Sequence, residues 1–226
     1  MSAFLDDLDA MAISTVYVLS VLGLAEFARR RGMPRTNTRK IVHVGIGTWV
    51  IPTFLLFDHR LWAVIPPACF VVVNALSFRF HLIRSVEGET ANVGTILYPI
   101  SVAAALGLFW THPWPAVGAA AILVMAWGDA AASLIGRRHG RHVYRAWGHP
   151  RTLEGSAAML VVGVAGILVG FVSLGRPIDG GVVAAAALAA AVGTALESIS
   201  LWGFDNLLVP AGVAATLVLT FGSVWG

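Results

Sequence analysis

Residues 116–140 read AVGAAAILVMAWGDAAASLIGRRHG, and this stretch decides the fold. The run 116–135 is apolar except for Asp129 and Ser133, and Gly136-Arg137-Arg138-His139-Gly140 follows at once. A bilayer-spanning helix needs roughly 20 such residues, so 116–135 reads as a membrane span with a carboxylate near one end. The rest of the chain agrees. Of 226 residues, 58% are hydrophobic and 12% charged, and the mean hydropathy is +0.80. A soluble domain carries roughly 25% charged residues, so a disordered chain, a coiled coil and an ordinary cytosolic enzyme are excluded.

Working outward, seven more apolar stretches appear, at 10–28, 41–57, 61–78, 93–110, 156–174, 181–200 and 207–224. The expected fold is all-α: a polytopic membrane helix bundle of about seven or eight transmembrane helices, one domain over 1–226. Pro52 interrupts the second stretch. Pro66 and Pro67 interrupt the third, which is expected to kink or re-enter. Alanine- and glycine-rich runs such as 182–193 suit close helix packing in lipid.

Alternate loops carry opposite charge. Arg29, Arg30, Arg31, Arg35, Arg39, Lys40, Arg79, Arg84, Arg137, Arg138, Arg141, Arg145 and Arg151 fall on one side, and Arg60 and Arg176 on the other. The positive-inside rule makes the first side cytoplasmic and both termini non-cytoplasmic. Asp6, Asp7, Asp9, Asp58 and Asp179 lie on the outer side. An integral protein of the cell membrane is expected, and the pI near 9.6 then reports topology and not nucleic-acid binding. The single cysteine, Cys69, permits no internal disulfide. No cleavable signal peptide is visible, since acids stand where one needs positive charge. The long loops 29–40, 79–92 and 136–155 are all cytoplasmic, so the active site is expected at that face.

Five polar groups stand at those helix ends. On a helix, Asp129, Ser133, Gly136 and Arg137 share one face, and an intramembrane carboxylate is a functional candidate. Gly128, Gly136 and Gly140 would let a phosphate approach the backbone, and Arg137 and Arg138 would neutralise it. Alternatively, Asp129 pairs with Arg137 or Arg138 to hold the helix end. Arg151-Thr152-Leu153-Glu154-Gly155 precedes the sixth stretch, with Arg151 and Glu154 spaced to share a starting turn whose N–H groups favour an anion. Arg39, His43 and Gly47 follow an i, i+4 line beside Lys40, and this basic helix entrance suits a polyphosphate. Arg84, Glu87, Glu89 and Asn92 precede Gly94-Thr95, while Glu197 and the Asp205-Asn206 pair flank the last loop. Alternatively, Asp205 caps the eighth helix.

The segments Arg39-Lys40-x-x-His43, Gly94-Thr95-x-x-Tyr98-Pro99, Gly128-Asp129-x-x-Ala132-x-x-x-Gly136-Arg137, Thr152-Leu153-Glu154-Gly155 and Asp205-Asn206-x-x-x-Pro210 occur in that order. Together they resemble the phytol kinase, dolichol kinase and CTP-dependent diacylglycerol kinase family, from about residue 39 to about 210. Arg151 departs from the lysine usual in that family but retains its charge. The resemblance implies a membrane enzyme that phosphorylates a lipid alcohol, with CTP as phosphoryl donor and Mg²⁺ as divalent cation. Asp129 and Lys40 are the expected catalytic residues. Arg39, Lys40, His43, Gly128, Ser133, Gly136, Arg137, Arg138, Gly140, Arg151, Thr152, Glu154, Gly155 and Asn206 are expected at the nucleotide, and Asp129, Glu154 and Asp205 at the metal. A CDP-diacylglycerol synthase has a similar central stretch, but its C-terminal Lys-Asp and His-Gly-Gly signature is missing. A small proton or ion transporter would carry its charges near mid-membrane and not at helix ends.

Overall fold

The computed structural model describes residues 7–80, 93–147 and 149–225. Helix α1 spans Leu8–Arg30, α2 Arg35–Thr48, α3 Val50–Leu56, α4 Arg60–Phe80 and α5 Gly94–Leu108. Helix α6, Pro115–Leu123, runs through a π-helical turn at Val124–Gly128 into α7, Asp129–His139. A short hairpin of β1 (Val143–Ala146) and β2 (His149–Thr152) leads to α8 (Leu153–Ser173), α9 (Gly180–Ile199) and α10 (Asp205–Trp225). The expected all-α membrane bundle is present. Among the described residues, six helices are long and apolar enough to cross a bilayer. The other two apolar stretches are the shorter α5 and the broken α2–α3 pair.

The break falls at Trp49, and Pro52 stands in the first turn of α3, where a missing N–H forfeits no helical hydrogen bond. The kink or re-entry expected in the third stretch is not found as a break. Pro66 and Pro67 lie inside α4, which continues over 21 residues. Two lost backbone donors in a long apolar helix are tolerable where α5 packs alongside. The hairpin within the loop 136–155 is also new, pairing Val143 with Thr152 and Ala146 with His149.

The α6 segment and its π-turn form the bundle's centre: Val117, Ala120, Ile122, Leu123 and Val124 have no exposed surface. Glycines on α8 allow this. A side chain at Gly170 would stand 3.1 Å from the Ala120 nitrogen, and one at Gly166 would stand 3.3 Å from Leu123. Such close approach is how helices associate where lipid is as apolar as leucine. Helices α1 and α4 lie outside, with Val16, Leu19 and Val72 more than half exposed, as expected of a lipid-facing surface.

Chain direction divides the loops into two ends. The α1–α2 turn, the start of α5, the hairpin and the α9–α10 loop form one end, where Val93 N donates to Trp202 O. Among described residues this end holds every basic residue of the first charge set; Arg60 and Arg176 lie at the other.

Candidate active site

The π-turn aims Asp129. An i→i+5 turn shifts the helix phase, and such turns favour functional positions. Asp129 is the first residue after it and faces α2, where Lys40 Nζ donates to Asp129 Oδ2. His43 Nε2 lies 3.4 Å from the same oxygen and 3.4 Å from Met125 O of the π-turn. All three side chains are at most 20% exposed. The alternative in which Asp129 pairs with Arg137 or Arg138 is therefore overturned. Its partners come from α2, some ninety residues upstream. Arg137 instead donates to Ser133 Oγ at 2.6 Å and to Asn37 Oδ1 at 2.9 Å.

Helix α2 is held against the turn by close backbone approach. A side chain at Gly47 would overlap Ala126 and the Tyr98 hydroxyl. Tyr98 Oη donates to His43 O at 2.6 Å, and its ring lies 4.2 Å from the imidazole. Tyr98 thereby fixes the turn of helix that carries Lys40 and His43.

The second half of the cluster comes from the hairpin and α9. Arg151 Nη1 pairs with Glu197 Oε1 at 2.9 Å, and Arg151 Nη2 donates to Glu197 O and Ser200 O, each at 3.2 Å. Glu197 is 4% exposed. Asp129, Glu197 and Asp205 share one electrostatic neighbourhood with Lys40 and Arg151. Asp205 opens α10 and makes no ion pair among the described residues. The adjacent Asn206 is buried, its backbone oxygen accepting from Ser101 Oγ at 2.6 Å.

Other expected residues sit elsewhere. Arg151 and Glu154 do not share a starting turn, because the chain is extended through Thr152 and turns helical only at Leu153. Thr152 caps α8, its Oγ1 accepting from Gly155 N at 3.1 Å. Glu154 turns away to His142, 2.7 Å from Nδ1, and accepts from the His142 backbone N–H. The space for a side chain at Gly128, Gly136, Gly140 and Gly155 is taken by protein: Met159 at Gly128, Thr152 at the other three. These glycines pack α7 against α8. Arg39 and Arg138 are exposed. The group Arg84, Glu87, Glu89 and Asn92 lies outside the described residues.

Two contributors were undervalued by sequence reading. Glu197 is a lone carboxylate in an apolar stretch, the same signal that singled out Asp129. Tyr98, already singled out in the Gly94-Thr95-x-x-Tyr98-Pro99 segment, acts through a main-chain contact 55 residues away that the segment itself does not announce.

Among the described residues no three His, Cys, Asp or Glu side chains converge on a metal position. Mg²⁺ commonly takes only one or two protein carboxylates and fills its shell with phosphate oxygens and water. Asp205 fits that need, being partly exposed and placed by the start of α10 at the same end of the bundle as Asp129. Glu154, engaged by His142, does not.

Fold and site together define a membrane-embedded helical bundle whose cations and carboxylates gather at one end. Over 207 residues the chain is 34% identical to a protein of Synechocystis sp. named phytol kinase, covering 91% of this chain and 88% of that one. It is 29% identical to the probable chloroplastic phytol kinase 1 of Glycine max, over 96% and 79% of the two chains. The probable phytol kinase 2 of the same plant is 25% identical, over 88% and 70%. No family model and no solved structure matches. The chain belongs to the phytol kinase family.

Proposed function

We propose that this protein is a lipid-alcohol kinase that transfers the γ-phosphate of CTP to an isoprenoid alcohol such as phytol, geranylgeraniol or a polyprenol. One observation carries the reading: Lys40 and Asp129 meet at the end of the bundle where the basic residues gather, within electrostatic reach of Arg151. Names of relatives supply the alcohol class, and the resemblance supplies CTP. The basic end faces the cytoplasm, where the nucleotide arrives from water while the alcohol arrives from the lipid.

Phosphoryl transfer asks chiefly for positioning and charge neutralisation. Lys40 and Arg151 hold triphosphate oxygens, with Arg39, Arg137 and Arg138 attracting the anion from solvent. The alcohol oxygen bonds to the γ-phosphorus as the bond from phosphorus to the β–γ bridging oxygen breaks, and CDP departs. The hydroxyl proton passes to Asp129. The Lys40 ammonium already occupies Oδ2, which argues against a metal there and leaves the carboxylate's other oxygen for the proton. Asp205 would hold Mg²⁺, which when bound neutralises charge on the phosphate oxygens.

The test crosses four nucleoside triphosphates with a panel of lipid alcohols, diacylglycerol and phosphatidic acid, using purified protein in detergent. Phosphorylated isoprenoid alcohol with CDP is expected. Pyrophosphate release with phosphatidic acid selects a cytidylyltransferase, and phosphorylated diacylglycerol alone corrects the acceptor.

A further inference from the structure

Arg151 is held in an unusual way. Its guanidinium is gripped by the Glu197 carboxylate on Nη1 and by two main-chain oxygens, Glu197 O and Ser200 O, on Nη2. Its Nε is buried with no hydrogen-bond partner among the described residues. A buried ion pair is a weak device for stability, because desolvation offsets most of its attraction. A buried N–H left unpaired adds to the cost. A tie between the hairpin and α9 needs neither. The arrangement suits a guanidinium kept in one orientation so that its partly exposed side meets an anion.

The placement agrees. Through Ser200 O, Arg151 is fixed to the α9–α10 loop that leads into Asp205, and its side chain, 31% exposed, stands at the end of the bundle that Lys40 enters from α2. The pairing is specific to a fork. A lysine at 151 could meet the Glu197 carboxylate, but a single ammonium on a flexible stem cannot hold a carboxylate and two carbonyls while presenting a further N–H in a fixed direction.

We infer that Glu197 is a positioning residue: it holds Arg151 in one orientation so that the partly exposed guanidinium side chain meets a phosphate group of the donor nucleotide. This rests on the kinase reading for the identity of the anion. Glu197 itself touches no reacting atom, and its negative charge faces the guanidinium, not the phosphate.

The experiment uses full-length protein in detergent and the variants Glu197→Ala, Glu197→Gln and Arg151→Lys. KM for CTP and for the alcohol are measured, together with direct titration by CTP in the absence of alcohol. Glu197→Ala and Arg151→Lys should raise both KM and Kd for CTP about tenfold or more, the usual cost of a lost charge-assisted contact, with KM for the alcohol unchanged. Glu197→Gln keeps an oxygen on Nη1 and should stay within about threefold of the parent. If Glu197→Ala protein does not accumulate, Arg151→Lys carries the test, since a cation then still faces Glu197. Folded variants with unchanged Kd for CTP overturn the inference, as does a fall in yield and kcat at constant KM, which marks a structural tie. Parent protein that phosphorylates no alcohol refutes the kinase reading alone, because the CTP titration still reads the role of Glu197.

Discussion

The two ends of the bundle use carboxylates in opposite ways. At the end bearing Arg60 and Arg176, Asp7 is completely buried and both its oxygens are matched from one short loop. Asp58 N donates to Oδ1 at 2.7 Å, and His59 Nδ1 lies 2.9 Å from Oδ2. At the other end Asp129, Glu197 and Asp205 come from three helices, and Lys40 and Arg151 come from two further elements. There one guanidinium N–H is unmatched and Asp205 makes no ion pair among the described residues. The first arrangement closes a loop onto the start of α1 and is complete in itself. The second brings like charges together with cations from distant segments, which is costly without a third component. A metal-bearing triphosphate would complete it.

The sharpest way to break this contrast is Asp129→Asn. The amide keeps the shape of the side chain but accepts no proton, and loss of proton transfer typically costs a factor of ~10² or more. Turnover should fall by at least that much while the purified protein keeps its melting temperature to within a few degrees. If Asp129 only balances Lys40, the substitution should lower stability at least as much as activity. A stable Asp129→Asn protein with near-normal turnover would move the role to Asp205.

Legibility in the sequence followed the range of the interactions. All eight apolar stretches became helices or helix pairs, because lipid burial is a local, compositional requirement. Asp129 was legible for the same reason: a carboxylate in an apolar run is conspicuous wherever its partner lies. Lys40 and His43 were legible as a basic helix entrance, but not as the partners of Asp129, since the π-turn that redirects Asp129 leaves no mark in the apolar pattern. The hairpin hid the relation of Arg151 to Glu197. Reading Arg151-Thr152-Leu153-Glu154 as a helical turn put Arg151 beside Glu154, whereas extended backbone sends it 46 residues onward in the chain to α9. Proline was a guide in one place and not in another: Pro52 marks the stretch that does break, at Trp49, which is tied to α1 by stacking on Tyr17 at 4.0 Å and by a hydrogen bond to Ser14, while Pro66 and Pro67 sit in a continuous helix.

The opposite end should answer with the opposite phenotype. Asp7→Ala removes the acceptor for the Asp58 N–H and the partner of His59, losing hydrogen bonds to a charged group worth about 1.5–3 kcal/mol. The expected result is a lower melting temperature in detergent with unchanged kcat and KM per folded molecule. A change in KM for nucleotide at constant stability would show that the two ends are coupled and that Asp7 is more than a fastening.

The smallest effect is expected at the rim of the basic end. Arg137 is exposed and already occupied by Ser133 and Asn37, so its charge reaches an arriving triphosphate through solvent. Exposed pairs are worth about 0.2–1 kcal/mol, and Arg137→Ala should therefore raise KM for the nucleotide only about two- to fivefold. That increase should shrink as salt is added, because screening acts on exposed charges first. The ranking of alcohols should not move, since Arg137 meets solvent and not the lipid-facing helices. The same substitution tests how deep the site reaches. A loss as large as that of Asp129→Asn would mean that Arg137 leaves Ser133 and Asn37 to bind phosphate directly, whereas an altered ranking of alcohols with unchanged nucleotide KM would place the arginine-rich loop on the lipid side of the reaction.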